Sequence, residues 1–137
     1  MQKTATAEGI DIVYTGDIST TLPAHRLISW SKAKGKQNEL VEKIFVQYFA
    51  KGKAPADVDM LVQAAVDAGL DRAEAQAFLD GSELKAEVVD EAAHVKRSFG
   101  VSGVPFFVVH VDGADALPIG VSGAQEPDVL VKVGRLS

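Results

Sequence analysis

Apolar positions recur along this chain at the spacing of amphipathic helices up to residue 100, and at the spacing of strands just after it. Leu27, Ile28 and Trp30 fall to one side after Leu22, Pro23 suits a first helical turn, and Gly35 interrupts, so a helix is predicted over 23–34. Between Lys36 and Lys51, Leu40, Val41, Ile44, Phe45, Tyr48 and Phe49 form a broad apolar stripe at helical period. Gly52 and Pro55 break it. Asp57 then suits the cap of a third helix, in which Val58, Leu61, Val62, Ala65 and Val66 repeat an apolar face down to Gly69, a residue fitted to the position just past a helix end. Asp71 followed three residues later by Glu74 resembles a capping box opening a short helix to Leu79. Beyond Asp80-Gly-Ser82 a long helix is predicted to turn Leu84, Val88, Ala92, Val95 and Phe99 inward before Gly100 ends it.

Past Gly100 the residues become β-branched and aromatic. Pro105–Val111 reads as a strand, Asp112-Gly113 as turn chemistry, and Ile119–Ser122 as a return strand. Glu126-Pro127 opens a last helix carrying Val129, Leu130 and Val133, and Ile10–Tyr14 holds a weak extended signal. A two-stranded hairpin is marginal by itself. The pattern therefore leaves two architectures: a helical domain with a small β appendage, or part of a larger α/β sheet whose other strands lie elsewhere.

Composition narrows the function classes. The 137 residues are 47% hydrophobic and 24% charged, as in one soluble globular domain. With 14 Lys and Arg against 19 Asp and Glu, the net charge of −5 argues against nucleic acid or an anionic membrane as a partner. The first residues lack the apolar core of a signal peptide, which places the chain in the cytoplasm, and the apolar run Val104–Val109 is too short to span a bilayer. There is no cysteine. Disulfides, thiolate nucleophiles and Cys-ligated metals are thereby excluded.

Among candidate groups, His94 lies off the apolar stripe and reads as solvated, His110 as a strand residue, and His25 as a structural donor or acceptor at a helix start beside Arg26. No His pair has metal-ligand spacing, and no phosphate-loop or dinucleotide fingerprint occurs, so neither metal nor cofactor is expected. Phe45, Tyr48, Phe49 and Trp30 read as core, and Lys32, Lys34 and Lys36 as a solvated corner. The segment that stands out is Gly100–Val109. Ser102-Gly103-Val104 feeding Pro105 puts a bent backbone at a sheet edge, where the free N–H and C=O of Val104 can pair with an extended peptide. By itself an X–Pro bond defaults to trans.

The Gly100-Val-Ser-Gly-Val-Pro-Phe-Phe107 run, Val121-Ser-Gly-Ala-Gln125, the Ala24-His-Arg-Leu27 helix start, the Phe45, Tyr48, Phe49 stripe and the Ala68-Gly-Leu70 turn resemble the DsbA-like thioredoxin-fold proteins of the FrnE type. These are relatives of the 2-hydroxychromene-2-carboxylate isomerases and kappa-class glutathione transferases. The resemblance runs from about residue 8 to the C-terminus. It implies an α/β class, specifically the C-terminal part of a DsbA-like thioredoxin fold: residues 1–137 as a single partial domain, with a helical insertion over 22–100 and a cis-proline hairpin and terminal helix over 101–137. It further implies thiol–disulfide oxidoreduction, a cis bond at Val104–Pro105, and a substrate site of Val104, Pro105, Ser122 and Gly123 that takes a peptide or protein thiol, or glutathione.

Departures from the family pattern bear on activity. Family members open with a strand–helix–strand unit carrying Cys-x-x-Cys, which this sequence does not contain. Thr20 stands where the family has Asn, Pro23 precedes Ala24, and the Asp112–Pro118 loop is longer than expected. The expectation is a truncated or non-catalytic form with no catalytic residue of its own, because exchange requires a thiolate. The alternatives are a glutathione-using isomerase or transferase and a helical protein-interaction module. Self-association through an exposed strand edge is also expected.

Overall fold

A computed structural model describes residues 20–110 and 117–135. Its elements run α1 (Leu22–Lys32), α2 (Gln37–Phe45, continued by a π-helical stretch Val46–Ala50), α3 (Val58–Asp67), α4 (Arg72–Asp80), α5 (Lys85–Phe99), β1 (Phe106–Val109), β2 (Ile119–Ser122) and α6 (Pro127–Arg135). Ile10–Tyr14 and most of the Asp112–Pro118 loop lie outside the described residues. The chain divides into two compact units between Val89 and Asp90, within α5.

In the first unit, α1 packs on α2, α3 and α4, and α3 packs on α2 and α4. The core consists of Leu27, Leu40, Ile44, Leu61, Val62, Ala64, Ala65, Ala75, Phe78 and their neighbours. Small residues on α3 and α4 allow close approach of the backbones, and Leu27, Leu40 and Leu61 fill the space between them with no exposed surface. The local signals behave as the residue types demand. The Asp57 carboxylate accepts from the Met60 N–H at 3.1 Å, and the Asp71 carboxylate from the Glu74 N–H at 2.9 Å. The expected capping box is half made, since the Glu74 carboxylate goes instead to the Lys34 ammonium at 2.6 Å.

Two helices end alike. Leu70 N–H donates to the Ala65 carbonyl and Gly69 N–H to Val66, with Gly69 at φ +86°. Lys36 N–H donates to Ser31 and Gly35 N–H to Lys32, with Gly35 at φ +66°. Both are Schellman ends, and glycine supplies the left-handed residue each requires.

Arg26 is buried and has no carboxylate partner among the described residues. Its Nε donates to the Glu83 carbonyl at 2.8 Å, and its Nη2 donates to the Gly81 carbonyl at 2.7 Å and the Phe78 carbonyl at 3.2 Å. These carbonyls lie at and just beyond the negative end of α4, where a cation is favoured. The guanidinium also lies 5.1 Å from the Phe78 ring, Trp30 stacks on that ring at 5.3 Å, and the Lys34 ammonium sits 4.5 Å over Trp30. One side chain thus ties α1 to the end of α4 and the turn after it.

Four expectations are corrected. The α2 stripe is not uniformly core: Leu40 and Ile44 are buried, but Phe45 and Phe49 are exposed and Tyr48 is only half-buried. Past Phe45 the backbone widens to π-type bonding, and the position that continues the buried line is Gln47. Leu84 is not part of α5. It precedes the helix at φ +59°, where an L-residue is strained, and packs half-buried against the core. Finally, α5 buries none of its residues, and Val95 and Phe99 are exposed. An amphipathic pattern states that a face is apolar, not that this chain supplies its cover. Trp30 is half-buried rather than enclosed.

In the second unit β1 and β2 pair antiparallel in the register Phe106↔Ser122, Phe107↔Val121, Val108↔Gly120 and Val109↔Ile119. The first strand is shorter than the predicted Pro105–Val111. Val121 is the one buried residue among those described here. The Phe106 ring lies over Gly120, where an added Cβ would stand 3.0 Å from its Cζ.

Replacing Arg26 with Met keeps the apolar stem and removes the fork. We expect a loss of about 1.5–3 kcal/mol, since one buried and two part-buried carbonyls lose a charged donor. Thermal unfolding followed by circular dichroism measures it, and an unchanged midpoint would show that Arg26 does not hold α1 to α4. Asp57→Ala should cost about 1 kcal/mol in the same measurement through loss of the α3 cap.

Candidate functional site

The loop from Gly100 to Pro105 connects α5 to β1. Gly100 ends the helix at φ +61° and leads the chain out of its last turn. The Val104–Pro105 peptide bond is cis. Across from it, β2 ends at Ser122, and Gly123 turns at φ +82° so that its N–H donates to the Pro105 carbonyl at 2.8 Å. The Gln125 Nε2 donates to the Ser122 carbonyl at 2.7 Å and fastens the turn from the other side.

The structure therefore brings the four expected residues to one end of the hairpin. Pro105 and Gly123 are joined directly, and Ser122 is one residue from that bond. Val104 projects into solvent at 90% exposure, and neither its N–H nor its C=O makes a hydrogen bond among the described residues. Pro105 and Ser122 are exposed as well. The result is a turn that presents the Val104 backbone donor and acceptor, unpaired among the described residues, a geometry to which an extended strand can add.

What this arrangement can do chemically is limited by its side chains. Between Gly100 and Val109, and between Leu117 and Glu126, the titratable residue is Glu126 alone, and no Lys or Arg occurs. The only described hydroxyl on the β2 side of the turn is Ser122, and no histidine joins it. His110 is exposed just past β1. His25 and His94 are exposed too, and the one contact of the His94 ring is the Ser98 hydroxyl at 3.4 Å. The Lys corner is partly paired, Lys34 with Glu74 and Lys36 with Glu39 at 3.4 Å. That neighbour, with a backbone hydrogen bond as the larger cause, holds the Glu39 carboxyl below its ordinary value. Among the described residues no cluster of three His, Asp or Glu could hold a metal ion.

The residue that sequence reasoning passed over is Gln125. It was visible as the end of the Val121-Ser-Gly-Ala-Gln125 motif. A long amide two residues after a turn glycine was the available signal that it would fold back on the strand end.

We expect Gly123→Ala to loosen this clasp. The Cβ itself would meet only the Gln125 amide at 3.7 Å, so the cost of about 1–2 kcal/mol comes from the left-handed backbone. Faster hydrogen exchange at the Gly120–Gly123 amides, with α1–α4 unaffected, would register it, and unchanged exchange would count against the clasp.

Comparison with known proteins shows the family. A family model of the DSBA-like thioredoxin domain matches residues 1–133. The crystal structure of a probable DsbA oxidoreductase from Streptomyces coelicolor is similar at 32% identity, with a TM-score of 0.78, over 96% of this chain and 55% of that chain. This chain thus spans about half the length of that relative. No curated protein matches it.

Proposed function

We propose, from the premise that the chain belongs to the DSBA-like thioredoxin family, that it binds extended peptides without carrying out thiol–disulfide exchange. The observation that carries this reading is Val104, fully presented and with its backbone groups unpaired, beside a strand end in a chain with no cysteine. An extended segment running antiparallel to the Gly103–Pro105 backbone would accept from the Val104 N–H and donate to its C=O. Specificity would come from what flanks that segment, because the turn offers little but backbone and the Ser122 hydroxyl.

Exchange would require a thiolate to attack the substrate disulfide and a second thiol to resolve the mixed disulfide. Neither sulfur exists here. A peptide thiol could lie at Val104, but nothing in this chain would react with it. The FrnE-type assignment within the family rests on the motif match, and it would give the bound segment the character of a protein thiol substrate.

Glutathione is the weaker occupant. It carries two carboxylates, and the turn supplies no Lys or Arg to meet them. The outer edge of β1, unpaired among the described residues, is also open to a strand of another copy, which would compete with the peptide.

Two outcomes are expected. In a dithiothreitol-driven insulin reduction assay the chain should not exceed a heat-denatured control, and turnover well above it would end the non-catalytic reading. In a nuclear magnetic resonance titration with an unstructured peptide, amide shifts should concentrate at Val101–Phe107 and Val121–Gln125. Shifts confined to α1–α4, or none at all, would remove the turn as the binding site.

A further inference from the structure

We propose that the segment bound at Val104 runs on along the outer edge of β1 as a third strand, and that its residues beside Phe106 and Val108 are uncharged and β-forming. This rests on the peptide-binding reading above and extends it to the length, register and class of the bound segment.

The alternation of hydrogen bonds fixes which groups that edge presents. In an antiparallel pair, residues that exchange hydrogen bonds with the neighbouring strand alternate with residues whose N–H and C=O turn to the outside. The register places Pro105 opposite Gly123, one step beyond Phe106↔Ser122, and the Gly123 N–H donates to the Pro105 carbonyl at 2.8 Å. Pro105 therefore holds a bonded position. Phe107 and Val109, two and four residues on, hold bonded positions too, facing Val121 and Ile119. Phe106 and Val108 fall between them, so their N–H and C=O point away from β2, where no strand pairs with them among the described residues. Val104 stands at the next place in this alternation, and its N–H and C=O are likewise unbonded among the described residues.

This edge carries none of the charges that keep strand edges apart, since Gly100–Val109 contains no Asp, Glu, Lys or Arg. Pro105 lacks its N–H at a position that faces β2, so the outer row keeps the donors of Phe106 and Val108. A hairpin of two strands is marginal in water, and a third strand is the addition that steadies it. Residues of the added strand opposite Phe106 and Val108 share a face with those half-buried side chains. A charge there would lose water with no opposite charge between Gly100 and Val109 to meet it. β-Branched and aromatic residues fit instead.

Amide hydrogen exchange, followed by nuclear magnetic resonance on the full chain with and without an acetylated, amidated heptapeptide of alternating threonine and valine, tests this. Saturating peptide should slow exchange at Val104, Phe106 and Val108 by at least about tenfold, with smaller changes at Phe107 and Val109, which β2 already bonds. Slowing at Val104 alone would overturn the proposal and leave the turn as the binding site. Slowing at none of the three would overturn both. Slowing that follows protein concentration rather than peptide would give the edge to a second copy and overturn the proposal as well. Val108→Pro is an independent check, because it removes an outward N–H and leaves the bonds to β2 in place. It should weaken binding of the heptapeptide at least about threefold, with exchange at Gly120–Gly123 unchanged. Equal affinity in a variant whose hairpin is intact would overturn the proposal.

Discussion

The hydrogen bond from the Gly123 N–H to the Pro105 carbonyl is the constraint on which the candidate site depends. It closes the open end of a hairpin only four residues deep and sets the position of the peptide bond just before Pro105. Gly123 sits at φ +82°, a left-handed backbone that turns the chain away after the bond and that glycine adopts without strain. With that bond made and Gln125 fastened on Ser122, the Val104 N–H and C=O remain unpaired among the described residues. They escape a burial penalty because they face water, and they stay available to a strand.

The two units differ in how they hold together. The helical unit has a dense core of aliphatic and small residues, two Schellman ends, two aspartate caps and a guanidinium that satisfies three carbonyls at the far end of α4. It has the features of an independent fold. The hairpin unit buries Val121 and leaves Val95, Phe99, Phe107, Val129 and Val131 exposed. Two strands with so little cover are marginal in water. The features that reach outward, an unpaired backbone turn and an exposed apolar helix face, both belong to this second unit.

Much of this was legible in the residues. Asp57, Asp71, Gly35 and Gly69 mark their helix ends because each type has a local role that tertiary contacts do not alter. The return strand at Ile119–Ser122 follows from residue type, and Val104, Pro105, Ser122 and Gly123, grouped by the family resemblance, stand together at one end of the hairpin. What could not be read depends on partners distant in sequence. Arg26 looks like any surface arginine until the end of α4 comes to it, 52–57 residues later. Phe49 lies within a π turn for which periodicity has no signature. The stripe on α5 was correctly seen as apolar and wrongly assigned to the interior, since sequence pattern records the need for cover and not its source. The strained Leu84 was hidden because leucine is a strong helix former, and only its packing against the core takes it out of the helix.

The central claim is that this chain recognises the backbone of an extended segment and does nothing to its sulfur. Isothermal calorimetry with one unstructured peptide containing a single cysteine, and with the same peptide carrying serine there, separates recognition from chemistry. The account predicts similar affinities for the two, unchanged by reductant, because the Val104 N–H and C=O are the groups that bind. Binding of the cysteine peptide alone, or of neither, would contradict it.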